Sequence, residues 1–354
     1  MRILVINPGS TSTKISIFED EEEVFSRNIT HTKEEMAPFE KISDQLEFRK
    51  EVLLKTLKEA GFSISNFDAI GARGGNTHPL ESGTYIVNEE MVEDLLSLRF
   101  GAHASNLGAP LAYELAKGLN IPAYTVDPVI VDEMEPIAKI CGIKGIEREA
   151  KDHPLNQKAA AREAAKSLGK KYEECNFIVS HLGGGISVSA HRRGKMIDEN
   201  NCLNGDGPFS PERSGDIPNI ALVNMCFSGK YTKEEILKLL SGCGGLVSHL
   251  GTNSLIEVEK KIDEGNEYAK LIYNAMIYQI AKEIGKQAAV LKGDVNAIVL
   301  TGGLAYSKRL VEGIKGYVSF IAPILVFPGE HEMEAIAKGI LRVYRGEEMA
   351  KEYR

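Results

Sequence analysis

The spacing of apolar positions changes repeatedly along the chain, and each change marks an element. An apolar run over residues 2–8, alternation over 13–19 and a third stretch at 22–31 predict three successive strands. Ile42, Leu46, Val52, Leu53 and Leu57 fall near helical spacing and predict a helix over 40–60. Residues 67–72 and 84–87 read as strands. Asn88 then caps a helix to about 98, with acidic residues in its first turn. A helix over 106–118 and a strand over 121–126 close the first half at Asp127-Pro128. The second half restarts near Asn156 with an alanine-rich helix to 168, followed by strands at 176–182 and 186–197. Helices are predicted at 218–227, 232–241, 254–263 and 267–291, then a strand at 296–301 and a helix from about 306. A strand at 324–327 and a helix from 331 to about 345 finish the pattern. Strands alternating with helices predict α/β layers in each half, with a boundary in the segment 140–152.

Two strand–turn–strand units stand out. In the first, Asn7, Gly9, Ser10, Thr11, Ser12 and Lys14 lie between two strands. A Walker-type loop opens a helix, so this is a different device. It still offers a phosphate a close backbone approach, hydroxyl donors and an ammonium charge. Residues 179–189 repeat the design with His181, Gly183, Gly184 and Gly185. Asn7 matches His181 and Gly9 matches Gly183, about half a chain apart. Such internal similarity predicts two related domains, each presenting one glycine-rich hairpin.

Composition narrows the class. At 354 residues the chain exceeds one comfortable core, and 43% hydrophobic with 26% charged residues is globular usage. A net charge of −8 without a basic block argues against a nucleic-acid surface. Five cysteines with no C-x-x-C pair read as reduced thiols, and no apolar run suits a signal peptide or a membrane span. Both features point to the cytoplasm. Walker A, H-R-D, G-x-S-x-G and H-E-x-x-H motifs are all missing from the sequence.

Seven segments in order carry a resemblance. They are Asn7-Pro-Gly-Ser-Thr-Ser-Thr-Lys14, Ala72-Arg-Gly-Gly75, Asp152-His-Pro-Leu-Asn-Gln157, Ser180-His-Leu-Gly-Gly-Gly185, Pro211-Glu-Arg-Ser-Gly-Asp216, Leu300-Thr-Gly-Gly303 and Pro328-Gly-Glu-His-Glu332. Together they resemble the acetate kinase family of the acetate and sugar kinase, Hsp70 and actin superfamily, and most of all its butyrate-type branch. The family's His-Gly-Thr-Ser-His segment reads His-Pro-Leu-Asn-Gln here, with Gln157 in place of the second histidine.

The resemblance implies an α/β fold of two related ribonuclease H-like, actin-like domains flanking a central cleft. It implies domains at 1–147 and 148–330, with the helix at 331–354 packing back on the first. The implied reaction is transfer of a phosphoryl group from ATP, with Mg²⁺, to butyrate, isobutyrate or another short carboxylate, reversibly giving acyl phosphate and ADP. Arg73, at a strand end, grips the substrate carboxylate, and His103 supports that site. By the same resemblance Asp127 and Glu332 set Mg²⁺ through water, with Glu330 a close alternative register. His153, His181 and Arg213 meet the charge on the transferring phosphoryl group, while Asn7, Gly9, Ser10, Thr11, Ser12, Lys14 and Gly183–Gly185 line the phosphates. Gly302 and Gly303 form the adenosine pocket. Family members self-associate as dimers or larger assemblies. Two rivals remain: an acetate or propionate kinase, and an actin- or Hsp70-like ATPase switch.

Overall fold

The structure, a computed structural model, describes residues 1–354. The chain forms two compact units, one of Met1–Val131 with His331–Arg354, the other of Asp132–Glu330.

In the discontinuous unit the strands are β1 (Arg2–Pro8), β2 (Ser12–Glu19), β3 (Glu22–Thr30), β4 (Ala69–Arg73), β5 (Thr84–Ile86) and β6 (Ala123–Val126). The sheet runs β5-β6-β4-β1-β2-β3, and a short strand, Lys351–Glu352, adds in parallel beside β5. β1 pairs antiparallel with β2 and parallel with β4, and β4 pairs parallel with β6. Ile3, Leu4, Val5 and Ile6 have no exposed surface, so β1 is covered on both faces, as a central strand of an α/β sheet must be. The helix Glu332–Tyr344 lies against β4. A side chain on Gly71 would come within 2.6 Å of Ile336 and Ile340, so glycine there lets the helix approach and delivers Glu332 to the strand ends.

The contiguous unit builds β7 (Asn176–Leu182), β8 (Ile186–Arg192), β9 (Lys195–Glu199), β10 (Ala297–Gly302) and β11 (Ile324–Pro328) into a sheet of order β11-β10-β7-β8-β9. Its pairings repeat those of β6-β4-β1-β2-β3 in sense and sequence: two antiparallel hairpins, then two parallel crossovers. The long helix Glu267–Val290 and the helix Lys308–Val318 pack a core that includes Ile178, Val188, Met276, Ile280 and Ile298.

Three local features differ from the sequence expectation. The predicted strand 186–197 is two strands, because Arg193 and Gly194 take φ of 48° and 89° and reverse the chain. The predicted helix 40–60 begins as a 3₁₀ turn, Ile42–Gln45, before the α-helix Leu46–Glu59. The short helix Gly245–Leu250 and the strand Lys351–Glu352 are too brief for periodicity to register.

Candidate active site

In the discontinuous unit, β1 and β4 end side by side. Asn7 at the end of β1 pairs across the hairpin with Lys14. Its Nδ2 donates to Glu332 Oε2 at 2.7 Å, and Arg73 Nη1 reaches both Glu332 oxygens at 2.9 and 3.0 Å. Asn7, Arg73 and Glu332 are therefore one cluster. His103 is the N-cap of the turn Ala104–Leu107, accepting from Ser105 N at 3.2 Å. Burial and the charge of Arg73 hold its pKa below the ordinary histidine value. Asp127 follows Val126, the register partner of Arg73, and so lies at the same sheet end. Its buried carboxylate accepts from Gly83 N at 2.8 Å while its own N–H donates to Gly83 O at 3.0 Å, with φ at 39°.

The turn between β1 and β2 is closed by Gly9 N donating to Ser12 O at 2.8 Å, leaving Ser10 and Thr11 exposed at its tip. Behind it lies a residue that sequence reasoning missed. Arg49 is 1% exposed, and its guanidinium donates to Ser10 O, Ser12 O, Thr13 Oγ1 and Gln45 Oε1 at 2.9–3.1 Å. Holding the carbonyls of Ser10 and Ser12 fixes the peptide planes of the hairpin tip. Burial pushes the Arg49 pKa down to about 10, still charged at neutral pH. A signal existed: Arg49, Leu53, Thr56 and Leu57 share the buried stripe of one helix, so a cation stood on the apolar face.

In the contiguous unit, the rings of His153 and His181 stack at 3.9 Å between centroids and 17° between planes. His181 Nε2 lies 3.6 Å from Glu330 Oε1, while its Nδ1 is buried without a partner. Burial, then the neighbouring His153, lower the His181 pKa, with Glu330 opposing. Gly183 N donates to Gly185 O at 3.1 Å to close the second hairpin. Gly184 O accepts from Ser210 Oγ at 2.5 Å, which ties the 210–213 loop to the hairpin. A Cβ on Gly185 would sit 2.4 Å from Arg213 Nη1, so the guanidinium lies directly on that glycine. Gly302, at φ 88°, packs on the Leu182 backbone where a Cβ would approach to 2.5 Å, and it exchanges backbone hydrogen bonds with Gly329. Gly303 opens the following 3₁₀ turn.

Residues 145–314 match the family model described as the acetokinase family. In structure, the chain is similar to the acetate kinase of Porphyromonas gingivalis, at 20% identity and TM-score 0.81, covering 97% of this chain and 99% of that one. It is similar to a propionate kinase from Francisella tularensis at 20% identity and TM-score 0.74, over 96% and 98% of the two chains. The acetate kinase of Entamoeba histolytica matches at 16% identity and TM-score 0.74, over the same shares. These likenesses give the fold alone: α/β, with two sheets, of the actin-like type.

The matched segment holds His153, His181, Gly183–185, Arg213, Gly302 and Gly303. Beneath its stacked histidines lies a buried polar network. Asp152 accepts from both Gln157 Nε2, at 2.7 and 2.9 Å, and the Ser189 hydroxyl. Although burial pushes its carboxyl up, hydrogen bonds from His153, Ser187 and Ser189 and the His153 charge offset this and hold it below the ordinary value. Gln157 Oε1 can only accept, so His191 Nε2 donates to it at 3.0 Å and His191 Nδ1 accepts from the Tyr172 hydroxyl at 2.7 Å. Gln157 is thus committed to the interior. Glu330 and Glu332, two residues apart, serve different clusters, one beside His181 and the other beside Arg73 and Asn7.

Proposed function

We propose that this chain is a carboxylate kinase that phosphorylates butyrate, or a branched relative such as isobutyrate, with ATP. The reaction is direct in-line transfer of the γ-phosphoryl group to a carboxylate oxygen, giving acyl phosphate and ADP, and it runs backwards to make ATP. The observation that carries this reading is the acetokinase match over the segment that supplies His153, His181, Arg213 and the glycine hairpin. Arg73 holds the substrate carboxylate, with His103 beside it. It already grips the Glu332 carboxylate with one Nη, which is the chemistry the role requires. Arg213, His153 and His181 donate to the phosphoryl oxygens, and Asn7, Lys14 and the backbone of both hairpins supply further donors. The attacking carboxylate is ionised at neutral pH, so the residues need no general base.

Asp127 and Glu332 are hard oxygen donors, and few protein ligands suit an ion that keeps its waters, so the pair fits Mg²⁺. Bound there, Mg²⁺ would neutralise charge on the nucleotide phosphates. The protein acts in the cytoplasm as a homo-oligomer. The exposed apolar residues Ile220, Val223 and Phe227, on and just after the helix Asn219–Cys226, suit self-association. No helix is long and apolar enough to cross a membrane.

A second reading, acetate or propionate as substrate, is favoured by the names of the similar structures. One methylene discriminates by only about 1–3 kcal/mol, so the acids must be compared directly. Trapping acyl phosphate with hydroxylamine across C2 to C5 acids tests both. The highest kcat/KM is expected on C4 acids. A maximum on acetate replaces butyrate with the second reading, and ATP hydrolysis indifferent to any acid overturns the kinase reading.

A further inference from the structure

Directly behind His153 three unlike ligand atoms converge. Cys202 Sγ lies 3.6 Å from His153 Nδ1, and Asp152 Oδ1 lies 3.4 Å from the same nitrogen. All three lie within 4.8 Å of one another. Asp152 and Cys202 are 4% and 1% exposed, on a rigid support of β8, the helix Pro154–Ser167 and the 200–202 turn. A tetrahedral ion with bonds of about 2.3 Å to sulfur and about 2.0 Å to nitrogen and oxygen sets S···N near 3.6 Å and N···O near 3.3 Å. The spacings seen here match both. We propose that Asp152, His153 and Cys202 form a three-ligand site for a borderline divalent metal ion of the zinc type.

Charge supports the assignment. A dication with one carboxylate and one thiolate is neutral overall, so the ion gives the buried Asp152 carboxylate, which accepts hydrogen bonds from Gln157 and Ser189, a full countercharge. Binding releases the thiol proton to solvent and takes the Nδ1 lone pair from the Ser187 hydroxyl, now 3.0 Å away. The ring proton then sits on Nε2. The fourth position goes to water, as at three-ligand zinc sites. Sulfur and imidazole separate this site chemically from the oxygen ligands suited to Mg²⁺. It stands whether or not the kinase reading does.

The test is a Co²⁺ titration of the reduced, metal-free full chain without nucleotide, followed by absorption. One equivalent should give intense tetrahedral d–d bands and a thiolate-to-cobalt charge-transfer band. Cys202→Ala and Cys202→Ser should both abolish the charge-transfer band. Asp152→Asn should keep the band and weaken affinity by about tenfold or more. Competition by Zn²⁺ should bleach the signal. No band in the wild-type chain overturns the proposal. So does a band that survives in folded Cys202→Ser, which would assign it to Cys141, Cys226 or Cys243, the other thiols nearest the surface.

Discussion

At the scale of single residues, the two arginines of the discontinuous unit do different work. Arg73 pairs with the half-buried Glu332 carboxylate and sits at a strand end, so removing it should cost binding more than folding. Arg73→Ala is expected to raise the apparent KM for the carboxylate about ten- to a hundredfold, and that for ATP far less. Initial rates with each substrate varied in turn measure this; equal loss for both counts against its role. Arg49 is the reverse case. Lysine cannot supply the planar fork that reaches Ser10 O, Ser12 O and Gln45 together. Arg49→Lys should therefore destabilise the fold by about 2 kcal/mol and raise the KM for ATP, read by denaturant unfolding and kinetics.

Residue identity also explains what was legible. The hairpins could be read because period-two strands and glycine clusters are local signals. The helical stripe marks Arg49 as a buried cation but not what it holds, since its partners in the hairpin lie 36 to 39 positions back and only folding brings them near. Glu330 and Glu332 could not be told apart for the same reason. Their separate partners, His181 and Arg73, lie far off in the chain.

Among elements, the two glycine-bearing turns predict opposite outcomes from the same substitution. At Gly185 an added methyl meets the far end of Arg213, a side chain that can swing aside. Gly185→Ala should fold normally yet lower kcat about a hundredfold, because displaced donors lose their aim. At Gly302 the methyl meets the Leu182 backbone, and φ is positive. Gly302→Ala should cost about 3 kcal/mol of stability, seen as a lowered unfolding midpoint. The doubled strand set itself was legible from the repeated hairpin. The order β6-β4-β1-β2-β3 against β11-β10-β7-β8-β9 was not, because parallel neighbours are joined through distant crossovers.

For the whole molecule, two buried groups shape how stability varies with pH. His191 has its pKa lowered from 6.5 to about 3 by burial, chiefly, and by Lys158. The unfolded chain binds that proton first, so stability should fall as pH drops from 6.5 toward 3. Glu199 is 2% exposed, and burial, then Asp152, raise its pKa well above 4.5. The folded state keeps its proton longer, so stability should decline as pH rises above 4.5 toward the folded value. Melting temperature against pH, compared with Glu199→Gln, should show the second slope flatten in the variant.

The seating of the last residues carries a consequence for synthesis. Tyr353 is buried, its hydroxyl donates to Asp94 and its carbonyl accepts from Asn88, while Lys351–Glu352 extends the first sheet. A ribosome delivers residues 1–131 first, yet their partners at 331–354 emerge only after the intervening unit. At about 5–20 residues per second, that delay is roughly 10–40 s. The strands of residues 2–126 thus leave the exit tunnel long before they are finished, and a nascent chain would need shelter for them meanwhile.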